Sequence, residues 1–145
     1  MKEMLKEIVA KAAAAPDSYP DLVVTYERGH ELSGVTRFEM WAGTAFKLNS
    51  DNPRRQTAYA HEGRLRPEQR QAILQAMDDS FFEIPPSTRN LGDDEIPYTI
   101  TLSYDDMSYQ LEVWAADGQE NPDFVRLQQA LRKLFIELSD DRIKA

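Results

Sequence analysis

The sequence predicts a two-layer α+β domain: a five-stranded antiparallel sheet with helices packed on one face, in the order α-βββ-α-ββ-α. Three observations lead there. Several short stretches alternate apolar and polar residues, so each strand offers one face to a core and one to water, as antiparallel sheets covered on one side do. Three longer stretches repeat apolar residues every three or four positions, the spacing of an amphipathic helix. The length of 145 residues, with 41% hydrophobic and 29% charged, supplies material for one core.

The elements follow in order. Met4, Leu5, Ile8, Val9 and Ala12 line one side of a short helix, with Lys2, Glu3, Lys6 and Glu7 around them. Pro16 stops it, and the PDSYPD segment from Pro16 to Asp21 reads as a linker. Residues 1–20 are thus expected to be an appended helix and linker, and 21–145 the domain. Leu22, Val24 and Tyr26 begin the first strand, and the polar segment Arg28 to Gly34 turns the chain. In the second strand Phe38 and Met40 share one face, while Arg37, Glu39 and Trp41 share the other. Ala42-Gly43-Thr44 connects tightly to a third strand with Phe46 and Leu48, and Asn49 to Arg55 reads as a loop or broad bulge, after which pairing is expected to resume over Thr57 to Ala60. Leu65-Arg66-Pro67-Glu68 opens a helix with its proline in the first turn, although Arg66 is a poor N-cap. Ile73, Leu74 and Met77 are its buried stripe. Phe81, Phe82 and Ile84 lead into the stiff Pro85-Pro86, and a polar loop fills 87–95. Tyr98, Ile100, Leu102 and Tyr104 pair with Tyr109, Leu111 and Val113 in a hairpin turned at Asp105-Asp106. Asn121 caps the last helix, whose core face is Phe124, Leu127, Leu131, Leu134, Phe135 and Leu138.

The same composition narrows function. No cysteine is present, so disulfides, thiolate metal sites and cysteine nucleophiles are absent. Only His30 and His61 are available for imidazole chemistry, and both read as solvated turn residues. A net charge of −8 opposes binding to nucleic acid. Lys6, Glu7 and Lys11 interrupt what a secretory signal would need as an apolar run, and no stretch reaches the ~20 apolar residues of a membrane helix. The expected setting is cytoplasmic, with no membrane or nucleic-acid partner and no cofactor.

Acidic pairs at 78–79, 93–94, 105–106 and 140–141 sit at element ends, where aspartate serves turns and caps; they lack the alternating ligand spacing of a calcium loop. Arg54, Arg55, Arg64, Arg66 and Arg70 make the one basic neighbourhood and read as a solvated rim or a dock for an acidic partner. A hydrolase or lyase would have to gather Glu27, Glu31 or Asp93 around His30 from separate loops. The more telling residues are Trp41 and Trp114, both on the polar parity of their strands. An uncovered tryptophan marks an interaction surface, unless the first helix or a second copy of the chain covers it. Arg37, Glu39, Trp41, Glu112 and Trp114 are therefore the candidate partner-binding residues of a non-catalytic protein-binding domain.

The order of landmarks over residues 21–138 resembles a family of small bacterial proteins, the emfourin type. The landmarks are Tyr26-Glu27-Arg28-Gly29, Leu65-Arg66-Pro67-Glu68, Phe81-Phe82-Glu83-Ile84-Pro85, Tyr98-Thr99-Ile100 and Asn121-Pro122. The resemblance implies the same fold and, as a function, inhibition of a thermolysin-like metalloprotease; it carries no inhibitory residue onto this chain. Gly29-His30-Glu31 replaces the glycine-rich start of that family, Asp105-Asp106-Met107 replaces its usual turn glycine, and the leading helix is additional.

Overall fold

The computed structural model of the chain describes residues 1–30 and 33–143. Its centre is one antiparallel sheet of six strands: β1 (Val23–His30), β2 (Gly34–Trp41), β3 (Ala45–Asn52), β4 (Thr57–Arg64), β5 (Pro97–Tyr104) and β6 (Met107–Trp114). The spatial order is β4-β3-β2-β1-β5-β6. The first four strands form a meander, and after the long helix β5 returns to the free side of β1.

Six strands replace the expected five. The loop expected over Asn49 to Arg55 is confined to a turn at 53–56: β3 continues to Asn52, and the pairing expected from Thr57 to Ala60 extends through Arg64. The strand escapes the alternation rule because it lies at the sheet edge, where most of its side chains are exposed and no apolar stripe is needed.

Four helices accompany the sheet: α1 (Lys2–Ala14), α2 (Pro67–Ser80), α3 (Ala115–Gln119) and α4 (Pro122–Ser139). The one-turn α3 was not expected. At the start of α2 the Gln69 side chain accepts the Arg66 N–H at 2.8 Å, half of a capping box that a guanidinium cannot complete. Asn121 Oδ1 accepts the Phe124 N–H at 3.0 Å and caps α4 as expected. Asp105 turns the β5–β6 hairpin at φ 56°, and Asp140 and Asp141 end α4 with φ 55° and 70°. These aspartates do the turn and cap work that their positions suggested.

Register puts Val24, Tyr26, Phe38, Met40, Leu48, Ile100, Leu102 and Leu111 on one face, all buried. Leu74, Met77, Leu127 and Leu131 meet them from the helices, and the Phe135 ring stands 5.3 Å from Tyr26 and 5.1 Å from Phe38. The first helix belongs to the same core: Leu5, Val9 and Ala12 have no exposed surface, and α1 packs chiefly on α2. It is no appendage. Its apolar side faces α2 and the β5–β6 side of the sheet, where Lys2 also covers the Tyr109 ring.

Arg70 departs from the expected basic rim. It is fully buried on α2, donating from Nη2 to the carbonyls of Tyr19 (3.3 Å) and Leu22 (3.4 Å). The guanidinium thereby fastens the proline-rich segment under α2. Among the described residues, no helix is long and apolar enough to cross a membrane.

Candidate functional site

Among the described residues, the other face of the sheet carries no helix. Its side chains lie in rows across the strands: Lys47, Glu39, Thr25, Thr101 and Gln110 in one, and Asn49, Arg37, Glu27, Thr99 and Glu112 in the next. Between these rows lies a hollow of about 410 Å³. Small threonines on β1 and β5 form its floor, and the longer Glu27, Arg37, Glu39 and Lys47 rise beside it.

Pairing within the face decides which charges remain available. Arg37 Nε meets Glu27 Oε2 at 3.2 Å across the β1–β2 ladder, an exposed pair of small energetic weight. Lys47 Nζ sits 5.6 Å above the Trp41 ring, so one cation already occupies that aromatic face. Among the described residues, Glu39, Glu62 and Glu112 have no ion pair, and all three are exposed. The face therefore shows unpaired carboxylates, with Glu39 two residues from the half-buried Trp41 and Glu112 near the far edge.

Trp41 and Trp114 do share this face, but at opposite corners. Trp41 is level with Ser108 through Val23 and Ser103, and Trp114 lies six residues farther along β6. With three strand spacings between β2 and β6, the separation is on the order of 25 Å. One anchor cannot touch both. Neither is covered by α1, which lies on the opposite face.

Trp114 is instead held by the loop of residues 87–95. Its indole N–H donates to the Arg89 carbonyl at 2.8 Å, and its backbone N–H donates to Ser87 Oγ at 2.9 Å. Ser87 N–H in turn bonds the Glu112 carbonyl at 2.9 Å, occupying the outer edge of β6. Arg89 grips Glu95 through both carboxylate oxygens, at 2.7 and 2.5 Å, and also reaches Asp117 at 3.3 Å. That grip, with the Gly92 and Ala116 N–H groups, lowers the Glu95 carboxyl to a pKa of about 2. This clamp was missed in the sequence because its members span residues 87–117; the only local signal was an arginine and a glutamate within one polar loop.

The acid–base candidates are not gathered. Glu27 points to the open face and is paired with Arg37, whereas His30 has the opposite parity on β1 and accepts the Ser33 N–H at Nδ1. Asp93 lies in a turn of the 87–95 loop, and Glu31 lies outside the described residues. His61 is not a turn residue: it sits in β4 opposite Leu48 on the core face, with Nε2 buried and unpartnered. Among the described residues no three His, Asp or Glu side chains could hold a metal ion. Arg54 and Arg55 occupy the exposed β3–β4 turn, while Arg66 pairs with Glu68 and Glu137, so the basic neighbourhood is spread over three settings once Arg70 is buried.

No protein-family model matches the chain, and no match is found among the curated proteins.

Proposed function

We propose that the chain is a non-catalytic protein-binding module, and that a partner docks on the helix-free face of the sheet beside Trp41. The observation that carries this reading is the combination on one open face of a half-buried tryptophan, a hollow of about 410 Å³ and exposed carboxylates without ion pairs. Such a face suits a partner that brings basic side chains around a single apolar anchor. Arg37 and Glu39 line the hollow, Trp41 lies two residues beyond Glu39 on the same face, and these three are the proposed contact residues. Glu112 belongs to the rim, and Trp114 acts first as the seat of its own loop.

The experiment compares capture by the parent with capture by Glu39→Lys and by Trp41→Ala, both outside the buried core. Support is a protein retained by the parent, lost with either variant, and released as salt rises, since exposed charge pairing is screened. The same proteins captured by all three chains would end the reading. Titration of a thermolysin-like metalloprotease asks whether the emfourin resemblance names the partner; unchanged protease activity at micromolar excess removes that identity and leaves the face itself to the capture test.

A further inference from the structure

On the helical side of the sheet, a cleft of about 330 Å³ opens between α3, the first half of α4 and the ends of β1 and β5. Its walls include Arg28, Tyr98, Phe124, Gln128 and Arg132, and no carboxylate lines it, although the chain has 25 acidic residues. Among the described residues, neither arginine has a carboxylate within ion-pair distance. Arg28 is oriented by an aromatic neighbour instead: Nε donates to the Tyr98 hydroxyl at 3.3 Å, and the guanidinium carbon stands 5.9 Å from the ring centre. In an acidic protein, two cations facing one cleft without counter-charges make a local trap for anions.

The interior wall adds a second observation. Gln128, which lines the cleft, has its Oε1 buried with no hydrogen-bond partner. A buried polar atom left unpaired costs stability unless something meets it. The Phe124 and Tyr98 rings, 5.4 Å apart and edge-on, supply an apolar wall beside it.

We propose that this cleft binds a small organic anion with a planar apolar body, its oxyanion held by Arg28 and Arg132 and its body laid on Phe124. Gln128 Oε1 then accepts from a hydroxyl or amine at the far end of that body. The volume is at the small end of ligand sites, which run from about 300 to 1,000 Å³. The cleft is on the opposite layer from the proposed docking face, so this inference stands apart from that reading.

The test is a titration of the full chain followed by backbone amide NMR, with 4-hydroxybenzoate and phenyl phosphate as the two anionic probes. Two controls accompany them: neutral 4-hydroxybenzamide and inorganic phosphate. The expected result is saturable shifts confined to residues 115–132 and the ends of β1 and β5, with at least one anionic probe binding about tenfold or more tighter than either control. Which probe binds distinguishes a carboxylate from a phosphate head. Arg132→Gln, at an exposed position, should weaken binding by about tenfold, while Lys133→Gln removes the same charge from the neighbouring position and should leave it unchanged. The proposal is overturned by absence of saturation with both anionic probes at about 10 mM. It is overturned equally by a neutral probe binding as well as the anions, or by Arg132→Gln behaving like Lys133→Gln.

Discussion

Arg70→Met should leave the protein as stable as the parent, or make it more stable by up to about 3 kcal/mol, although it deletes a buried charge. The side chain has no exposed surface, and its two hydrogen bonds, at 3.3 and 3.4 Å, are long. They lie beyond the roughly 2.7–3.2 Å of a well-formed N–H···O bond. Nε and Nη1 are buried with no partner. Each such orphan costs about 1–3 kcal/mol, so the pair offsets most or all of what two lengthened charge-assisted bonds return. Burial also pulls the Arg70 pKa down, with the charge of Asp17 opposing it, which is the mark of a cation held in a setting that disfavours charge. Methionine fills nearly the same slot with a flexible apolar chain. Of the two carbonyls released, that of Tyr19 still receives the Leu22 N–H at 3.2 Å. Arg70→Ala separates packing from charge: it leaves a void beneath α2 and should cost about 2–5 kcal/mol relative to the methionine variant. Urea unfolding followed by circular dichroism measures all three chains. A methionine variant less stable than the parent by more than about 2 kcal/mol would refute the argument, because the guanidinium would then be a net stabiliser.

Two further predictions concern the loop clamp and the hairpins. The Glu95 carboxyl is depressed from 4.5 to about 2, so its contribution to holding the 87–95 loop is complete above pH 4.5 and is lost as pH falls toward 2. In a Trp41→Phe background the fluorescence of Trp114 should change across that window, and Glu95→Gln should flatten the profile; identical profiles for both chains would sink the assignment. Gly29→Ala places a Cβ 2.0 Å from the Gly34 carbonyl oxygen at φ +104°, and should cost about 2–5 kcal/mol in thermal unfolding. Gly43→Ala, at φ +84° but with only the Pro20 side chain nearby at 3.8 Å, should cost about 1 kcal/mol; equal losses at the two positions would show that the close approach in the β1–β2 hairpin is not the controlling term.

What could be read in the sequence was local. The alternation of Tyr98 to Tyr104 against Tyr109 to Val113 and the Asn121 cap each need only neighbours within a few residues, and both are present. The parity that sends Arg37, Glu39 and Trp41 to one face and Phe38 and Met40 to the other is equally local. What failed depended on distant chain. Thr57–Arg64 has no apolar stripe because its place at the sheet edge asks for none, so its own residues suggest renewed pairing at Thr57 to Ala60 but not a full sixth strand. Leu5 and Val9 have the spacing of a helix but not the address of the surface they cover. Arg70 looks like its solvated neighbours until Tyr19 and Leu22 fold over it. The cleft beside α4 joins residues 28, 98 and 124–132, a constellation with no sequence spacing to recognise.

The two tryptophans show why parity alone does not assign a role. Both follow a run of alternating residues, both point to the helix-free face, and both are half-buried. Trp114 has its indole N–H committed to a backbone carbonyl and its main chain committed to Ser87, so removing it frees a loop. Over the Trp41 ring stands the flexible Lys47, whose ammonium can leave for solvent at small cost. An aromatic ring guarded by a movable cation, next to a hollow floored by threonines, can exchange its cover without breaking any backbone hydrogen bond. Trp114 cannot. The difference is why the docking proposal rests on the β2–β3 end of the sheet, whereas at the β6 end the tryptophan is already committed to the chain's own loop.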